Sequence, residues 1–140
     1  MIVKVKQLAV FIENKSGRVS EVTDLLGRGG INIRGFAVAD TTDYGILRLV
    51  VDDPDRACGL LRDAGFTVRE DSVICLLLED KPGGLARVLK VVSDAGVNIE
   101  YVYSLVSTYV VLTVTDPDRA VELLATQPVH LVNQEEIAAL

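Results

Sequence analysis

Asp80-Lys81-Pro82-Gly83-Gly84-Leu85, running on through an apolar-periodic segment to Gly96-Val97-Asn98-Ile99, is the stretch whose reading decides the fold. The chain contains it twice. The earlier copy is Asn14-Lys15-Ser16-Gly17-Arg18-Val19, running on to Gly30-Ile31-Asn32-Ile33. Gly17 and Asn32 recur as Gly83 and Asn98, both 66 residues on (83 − 17 and 98 − 32). Asp53-Pro54-Asp55-Arg56-Ala57 recurs as Asp116-Pro117-Asp118-Arg119-Ala120, 63 residues on (116 − 53). The second copy is three residues shorter, a loss placed at the Thr41–Tyr44 turn. Each copy reads as strand exit, glycine turn, helix, second glycine turn and strand entry. An internal repeat of this kind sets the architecture before any other feature is weighed.

Working outward, Val5 to Ile12 alternates as a strand, with Leu8, Val10 and Ile12 on one face and Ala9 and Phe11 on the other. Val19, Val22, Leu25 and Leu26 then recur at helical spacing. Gly29-Gly30 ends that helix, because glycine takes the left-handed cap without a Cβ clash. Ile33 to Ala39 and Tyr44 to Val51 are strands around a polar Asp40–Asp43 turn. Asp53 caps a second helix, and Pro54 suits its first position, where no amide partner is lost. Gly65 ends it and Phe66 to Arg69 makes a short fourth strand. Strand, helix, strand, strand, helix, strand is the split β-α-β order of ferredoxin-like folds. Asp71 and Ser72 separate this from a second pass. That pass has strands at Val73–Leu78, Ile99–Leu105, Tyr109–Val114 and Val129–Val132, with Leu85, Val88, Val91, Val92 and Ala95 facing inward from its first helix. Gln134 to Leu140 is a short terminal helix or tail.

The 140 residues therefore divide at 70/71 into two modules, each of marginal size for folding alone. They are expected to share one eight-stranded antiparallel sheet with helices on one face, an α+β architecture. The bare sheet face would then need covering, which argues for a homodimer.

Composition excludes several functions. A net charge of −6, with scattered basic residues, opposes a nucleic-acid partner. No apolar run approaches the roughly 18 residues of a membrane span. No leader pattern precedes the first strand, and the expected location is the cytoplasm. Cys58 and Cys75 form no metal or redox spacing and read as buried small hydrophobes. The lone His130 sits in a strand and reads as structural. No nucleophile motif, phosphate loop or zinc helix is present. Gly27-Arg28-Gly29-Gly30 closes a helix instead of opening one, so its amides point the wrong way for an anion. Asp52-Asp53-Pro54-Asp55 reads as a capped helix start, and Thr115 at the equivalent of Asp52 argues against a repeated metal site. Neither metal nor cofactor is expected, and no enzyme active site is supported.

The repeated glycine turn remains. Each turn comes off a strand and opens a helix, whose free amides and positive dipole end can hold a carboxylate. Glycine at 17, 83 and 84 lets a ligand approach the backbone. Asn14 or Asp80 precedes the turn, and Asn32 or Asn98 follows the helix. Oxygens that accept from an ammonium and amides that grip a carboxylate suit a zwitterion. A purely structural set of turn and cap residues stays open as the alternative.

These residues resemble the ACT domain, a small-molecule regulatory module of β-α-β-β-α-β fold. Its pattern is an acidic residue or Asn, any residue, Pro-Gly, any residue, Leu, a helix, then Gly-Val/Ile-Asn-Ile. The second copy fits throughout; the first has Ser16 for proline and Val19 for leucine. The resemblance covers nearly the whole chain as a tandem pair and implies regulation by a free amino acid held where modules meet. It implies contacts from the polar residue before the turn, the turn backbone and the later asparagine. The implied ligand-binding set is Asn14, Ser16, Gly17, Arg18, Asn32 and Ile33 in the first module. In the second it is Asp80, Pro82, Gly83, Gly84, Leu85, Asn98 and Ile99. Asp80 departs from Asn and would favour the ligand's ammonium. Tyr101 and Tyr103 share a strand face and match the small Gly35 and Ala37, so the modules are not equivalent. Two functions follow: a non-catalytic protein that binds an amino acid and signals to a partner, or a dimerisation subunit of an enzyme of amino-acid metabolism with no ligand of its own.

Overall fold

The structure is a computed structural model and describes residues 4–13, 15, 17–40 and 44–140. Contacts divide the chain into two compact units. One holds Lys6–Asp71 with Ile137–Leu140; the other holds Ser72–Glu136 and, among the described N-terminal residues, Lys4 and Val5.

The first unit contains strand β1 (Val5–Glu13), helix α1 (Arg18–Arg28), strands β2 (Ile33–Asp40) and β3 (Tyr44–Val51), helix α2 (Pro54–Asp63) and the opening of strand β4 (Thr67–Leu77). Its strand order is β2-β3-β1-β4, and β3 lies antiparallel to both β1 and β2. Alternation places Leu8, Val10 and Ile12 of β1 beside Leu47, Leu49 and Val51 of β3 on one face. Val22 and Leu26 of α1 and Ala57 and Leu61 of α2 pack onto that face. Each valine, leucine or isoleucine buried in this way contributes about 1.5–3 kcal/mol relative to exposure. Both helices end as the glycines require. Gly30 has φ 76°, and the Ile31 N–H donates to the Leu26 carbonyl at 2.9 Å.

The second unit repeats the plan with the close of β4, helix α3 (Gly84–Asp94), strands β5 (Ile99–Ser104) and β6 (Tyr109–Val114), helix α4 (Pro117–Leu124) and strand β7 (His130–Val132). β4 lies between β6 and β7, and β6 pairs with β5. Ile74, Leu76, Leu112 and Val114 meet Val88, Val92, Ala120 and Leu124 in its core. Asp53 and Asp116 cap their helices as expected, accepting from the Arg56 and Arg119 N–H groups at 3.3 and 3.2 Å. Helix α5 (Gln134–Ala138) closes the chain. It opens with a capping box: the Glu136 N–H donates to Asn133 Oδ1 at 2.8 Å, and the Asn133 N–H donates to Glu136 Oε1 at 3.2 Å.

Two expectations are corrected. The described residues form seven strands, not eight, because Phe66–Arg69 and Val73–Leu78 are not separate: Thr67–Leu77 runs as one strand. Asp71 and Ser72 are polar, but neither is a glycine or proline that would break the backbone. Second, Val19 and Leu85 are 39% and 41% exposed, and core burial begins one turn later at Val22 and Val88. Periodicity assigns a helix face, not how far the sheet extends beneath it. Gln7, Ala9 and Val50 in one unit, and Cys75, Val111 and Val132 in the other, are fully buried. The polar Asp40–Asp43 turn and the three-residue loss at Thr41–Tyr44 rest on 41–43, which lie outside the described residues. No described helix is long and apolar enough to cross a membrane.

Candidate functional site

The second glycine turn is set by three backbone bonds. The Lys81 N–H donates to the Glu79 carbonyl at 2.9 Å, the Gly84 N–H to the Lys81 carbonyl at 3.1 Å, and the Arg87 N–H to the Gly83 carbonyl at 3.0 Å. Gly83 caps α3 with φ 85°, a left-handed value that favours glycine, and supplies no capping side chain. The glycine at 84 answers a different need. A Cβ there would lie 2.5 Å from the Glu79 carbonyl oxygen. The close approach is by the chain's own backbone, so the smallness of Gly84 serves the turn. With the Gly84 amide committed, Leu85 and Ala86 carry the first-turn donors that the helix ladder does not use. Asp80 and Pro82 flank them, both exposed.

The first turn is looser. Gly17 caps α1 with φ 87°, and the Arg18 N–H reaches the Lys15 carbonyl at 3.4 Å. Arg18, at the position of Gly84, directs its guanidinium to Glu21 Oε2 at 2.9 Å and Glu13 Oε1 at 3.3 Å. Glu21 chiefly, with Glu13, raises the Arg18 pKa, while Lys15, then Arg18, holds the Glu13 carboxyl below its ordinary value. Asn14 and Ser16 lie outside the described residues.

Asn32 and Asn98 are each fastened by a reciprocal pair. The Asn32 N–H donates to Asp52 Oδ1 at 3.0 Å, and the Asp52 N–H donates to the Asn32 carbonyl at 3.0 Å. In the second unit Thr115 takes the place of Asp52: the Asn98 N–H donates to its Oγ1 at 3.2 Å, and its N–H donates to the Asn98 carbonyl at 3.0 Å. The backbone of each asparagine is held while its side chain stays exposed. Asp52 is thus a clamp, Asp53 a cap, and Asp55 an ion partner of Lys6 at 2.7 Å, three separate duties.

In neither unit do the turn and the asparagine segment border the same described cavity. Ser93, Gly96, Val97, Asn98 and Ile99 border a shallow one of about 460 Å³ that Asp80–Leu85 do not line. In the first unit Lys15, Arg18, Val19 and Val38 border one of about 190 Å³ that Asn32 and Ile33 do not line. A larger cavity of about 390 Å³ also borders Arg18 and is walled by Phe11, Tyr44 and Phe66. Sequence reasoning missed it, because its residues come from four separate segments. The available signal was that Phe11 and Phe66 have only aliphatic counterparts, Leu77 and Val129, in the repeat.

The remaining residues singled out in the sequence have contacts or burial of their own. Tyr101 and Tyr103 share a face, their rings stacked with centroids 6.2 Å apart. His130 Nε2 pairs with Glu136 Oε2. Burial pushes the Cys75 thiol up to about 12 and raises that of Cys58.

A family model described as an ACT domain pair matches residues 3–140. No curated protein matches. Among solved structures, protein BT0572 from Bacteroides thetaiotaomicron is 38% identical, with a TM-score of 0.92 over 99% of this chain and 98% of that one. The regulatory subunits of aspartate kinase from Thermus thermophilus, in its ligand-free form, and from Thermus flavus are each 17% identical. Their TM-scores are 0.64 and 0.62 over 88% of this chain and 90% of theirs, and at that identity they share the fold alone.

Proposed function

The chain belongs to the family of ACT domain pairs, and from that premise we propose that it is a non-catalytic regulatory protein. It binds a free amino acid through its glycine turns and asparagine segments and passes the signal to another protein. One observation carries the reading: in both units the helix start has a left-handed glycine at its cap position, which supplies no capping side chain, and the asparagine 15 residues later (32 − 17 and 98 − 83) is held by its backbone with its side chain exposed. Among the described residues, donors for a carboxylate and oxygens for an ammonium are thereby presented at the turn and at the asparagine. The residues proposed to take part are Asn14, Ser16, Gly17, Arg18, Asn32 and Ile33, and Asp80, Pro82, Gly83, Gly84, Leu85, Asn98 and Ile99. The signal is thermodynamic linkage: the ligand favours whichever arrangement it binds better. The Thermus structures are regulatory subunits of aspartate kinase, and the same kind of partner, an enzyme of amino-acid metabolism, is proposed here. A thermal-shift screen of the free amino acids tests the reading. At least one should raise the melting temperature, and Asn98→Ala should reduce that rise; a folded protein indifferent to all of them ends it.

One observation favours a second reading, a dimerisation or docking subunit without a ligand. β2 ends the strand order of its unit and carries Phe36 and Val38, 63% and 45% exposed. Open edge strands with apolar side chains invite pairing. Light scattering across a concentration series separates the two: a stable dimer, with no thermal response to amino acids, supports docking alone.

A further inference from the structure

The cavity of about 390 Å³ in the first unit lies between the end of β1, the first turn of α1 and the turn from α2 into β4. Its walls carry three rings, Phe11, Tyr44 and Phe66, and three charges, Glu13, Arg18 and Glu21. The volume is within the range of about 300–1,000 Å³ usual for small-molecule sites. The Arg18 guanidinium stands between the two carboxylates, 2.9 Å from Glu21 and 3.3 Å from Glu13.

The repeat supplies an internal control. The second unit has a cavity of about 350 Å³ at the same place, between the end of β4 and the segment entering β7. It keeps one carboxylate, Glu79 for Glu13. Leu77 replaces Phe11, Val129 replaces Phe66, and Pro128 replaces Gly65. The counterparts of Arg18 and Glu21 are Gly84 and Arg87, and neither lines it. Two units of one fold share whatever folding requires. The rings and paired charges of the first cavity are an addition to that requirement.

We propose that this cleft is a binding site for a free amino acid with an apolar or aromatic side chain, contained within one module. The ligand's carboxylate faces Arg18, its ammonium faces Glu13 and Glu21, and its side chain lies against Phe11 and Phe66. Exposed ion pairs such as those of Arg18 contribute little and exchange readily for ligand contacts. The rings add apolar area at low entropic cost. The ligand class rests on the amino-acid-sensing reading, but the location does not, and the experiment separates them.

The full chain is titrated with L-phenylalanine and with L-leucine, followed by amide NMR shifts and by calorimetry. Shifts should concentrate at Glu21, Gly65 and Thr67. Glu21→Gln should weaken binding about ten-fold or more, the loss of one charge-assisted contact, and so should Phe66→Val. Glu122→Gln, an exposed carboxylate of α4, should leave binding unchanged. Shifts confined to Asn32, Gly96 and Asn98 would overturn the cleft and leave the glycine-turn reading standing. Silence at Glu21, Gly65 and Thr67 at millimolar concentrations of both amino acids would overturn it as well. Phe66 also packs against the core, so if its variant unfolds, Glu21→Gln and the shift map decide.

Discussion

Asp52 and Asn32, twenty residues apart, exchange two hydrogen bonds: the carboxylate of Asp52 accepts from the Asn32 N–H at 3.0 Å, and the Asp52 N–H donates to the Asn32 carbonyl at 3.0 Å. The pair ties the helix exit to the end of β3, and Asn98 with Thr115 repeats it in different chemistry. What the site needs at this position is an oxygen acceptor, not a charge. Asp52→Ala should cost about 1 kcal/mol, one lost hydrogen bond, and Asp52→Thr should recover most of it. Denaturant midpoints of the two variants check this; equal loss in both would show the charge to matter.

Gly84 and Gly59 should respond oppositely to alanine. At Gly84 the new Cβ would press on the Glu79 carbonyl oxygen, 2.5 Å away, and backbone cannot swing aside as a side chain can. The expected loss is about 1–3 kcal/mol, as for overpacking. Gly59 lies inside α2, exposed, with nothing within 4 Å of its Cβ position. Gly59→Ala should stabilise by about 0.5–1 kcal/mol through helix propensity. Urea unfolding of both variants reads the sign directly.

Acid should weaken the fold through three carboxyls. Lys15, then Arg18, depresses the Glu13 pKa below 4.5; Lys81 chiefly depresses that of Glu79; His130, then the Asn133 N–H, depresses that of Glu136. A depressed folded-state value means stability is present above the unfolded pKa and lost as pH falls through the folded one. The loss therefore begins below about pH 4.5. It should shrink in high salt, since these pairs are at the surface. Side-chain carboxyl titration by NMR should give all three midpoints below 4.5; midpoints at or above it would contradict the pairings.

Neither thiol should react in the native protein. Cys75 is fully buried with its pKa at about 12, and Cys58 is 2% exposed with its pKa raised by burial. The thiolate is the reactive form, so a disulfide reagent should label both only after denaturant is added. Rapid labelling of Cys75 in the native state would mean that the β4 region opens.

The readable part of the site was the part made by neighbours in sequence. The left-handed helix stop at Gly30 and the caps at Asp53 and Asp116 follow from rules acting over three or four residues. The Asp52–Asn32 clamp was not readable, because it closes across a helix exit and two strands, and in the local sequence Asp52 is only one carboxylate of an acidic helix start. The aromatic cleft was invisible for the same reason: Phe11, Tyr44 and Phe66 meet only once the chain has folded.

Repeat, element order, helix stops and most core positions were determined by the sequence itself, since each depends on local backbone sterics or on a period of 2 or 3.6 residues. The tertiary structure decided that Thr67–Leu77 is one strand, that Val19 and Leu85 lie beyond the core, and which charges meet at Arg18. These depend on distances between segments remote in the chain, and no local propensity carries that information.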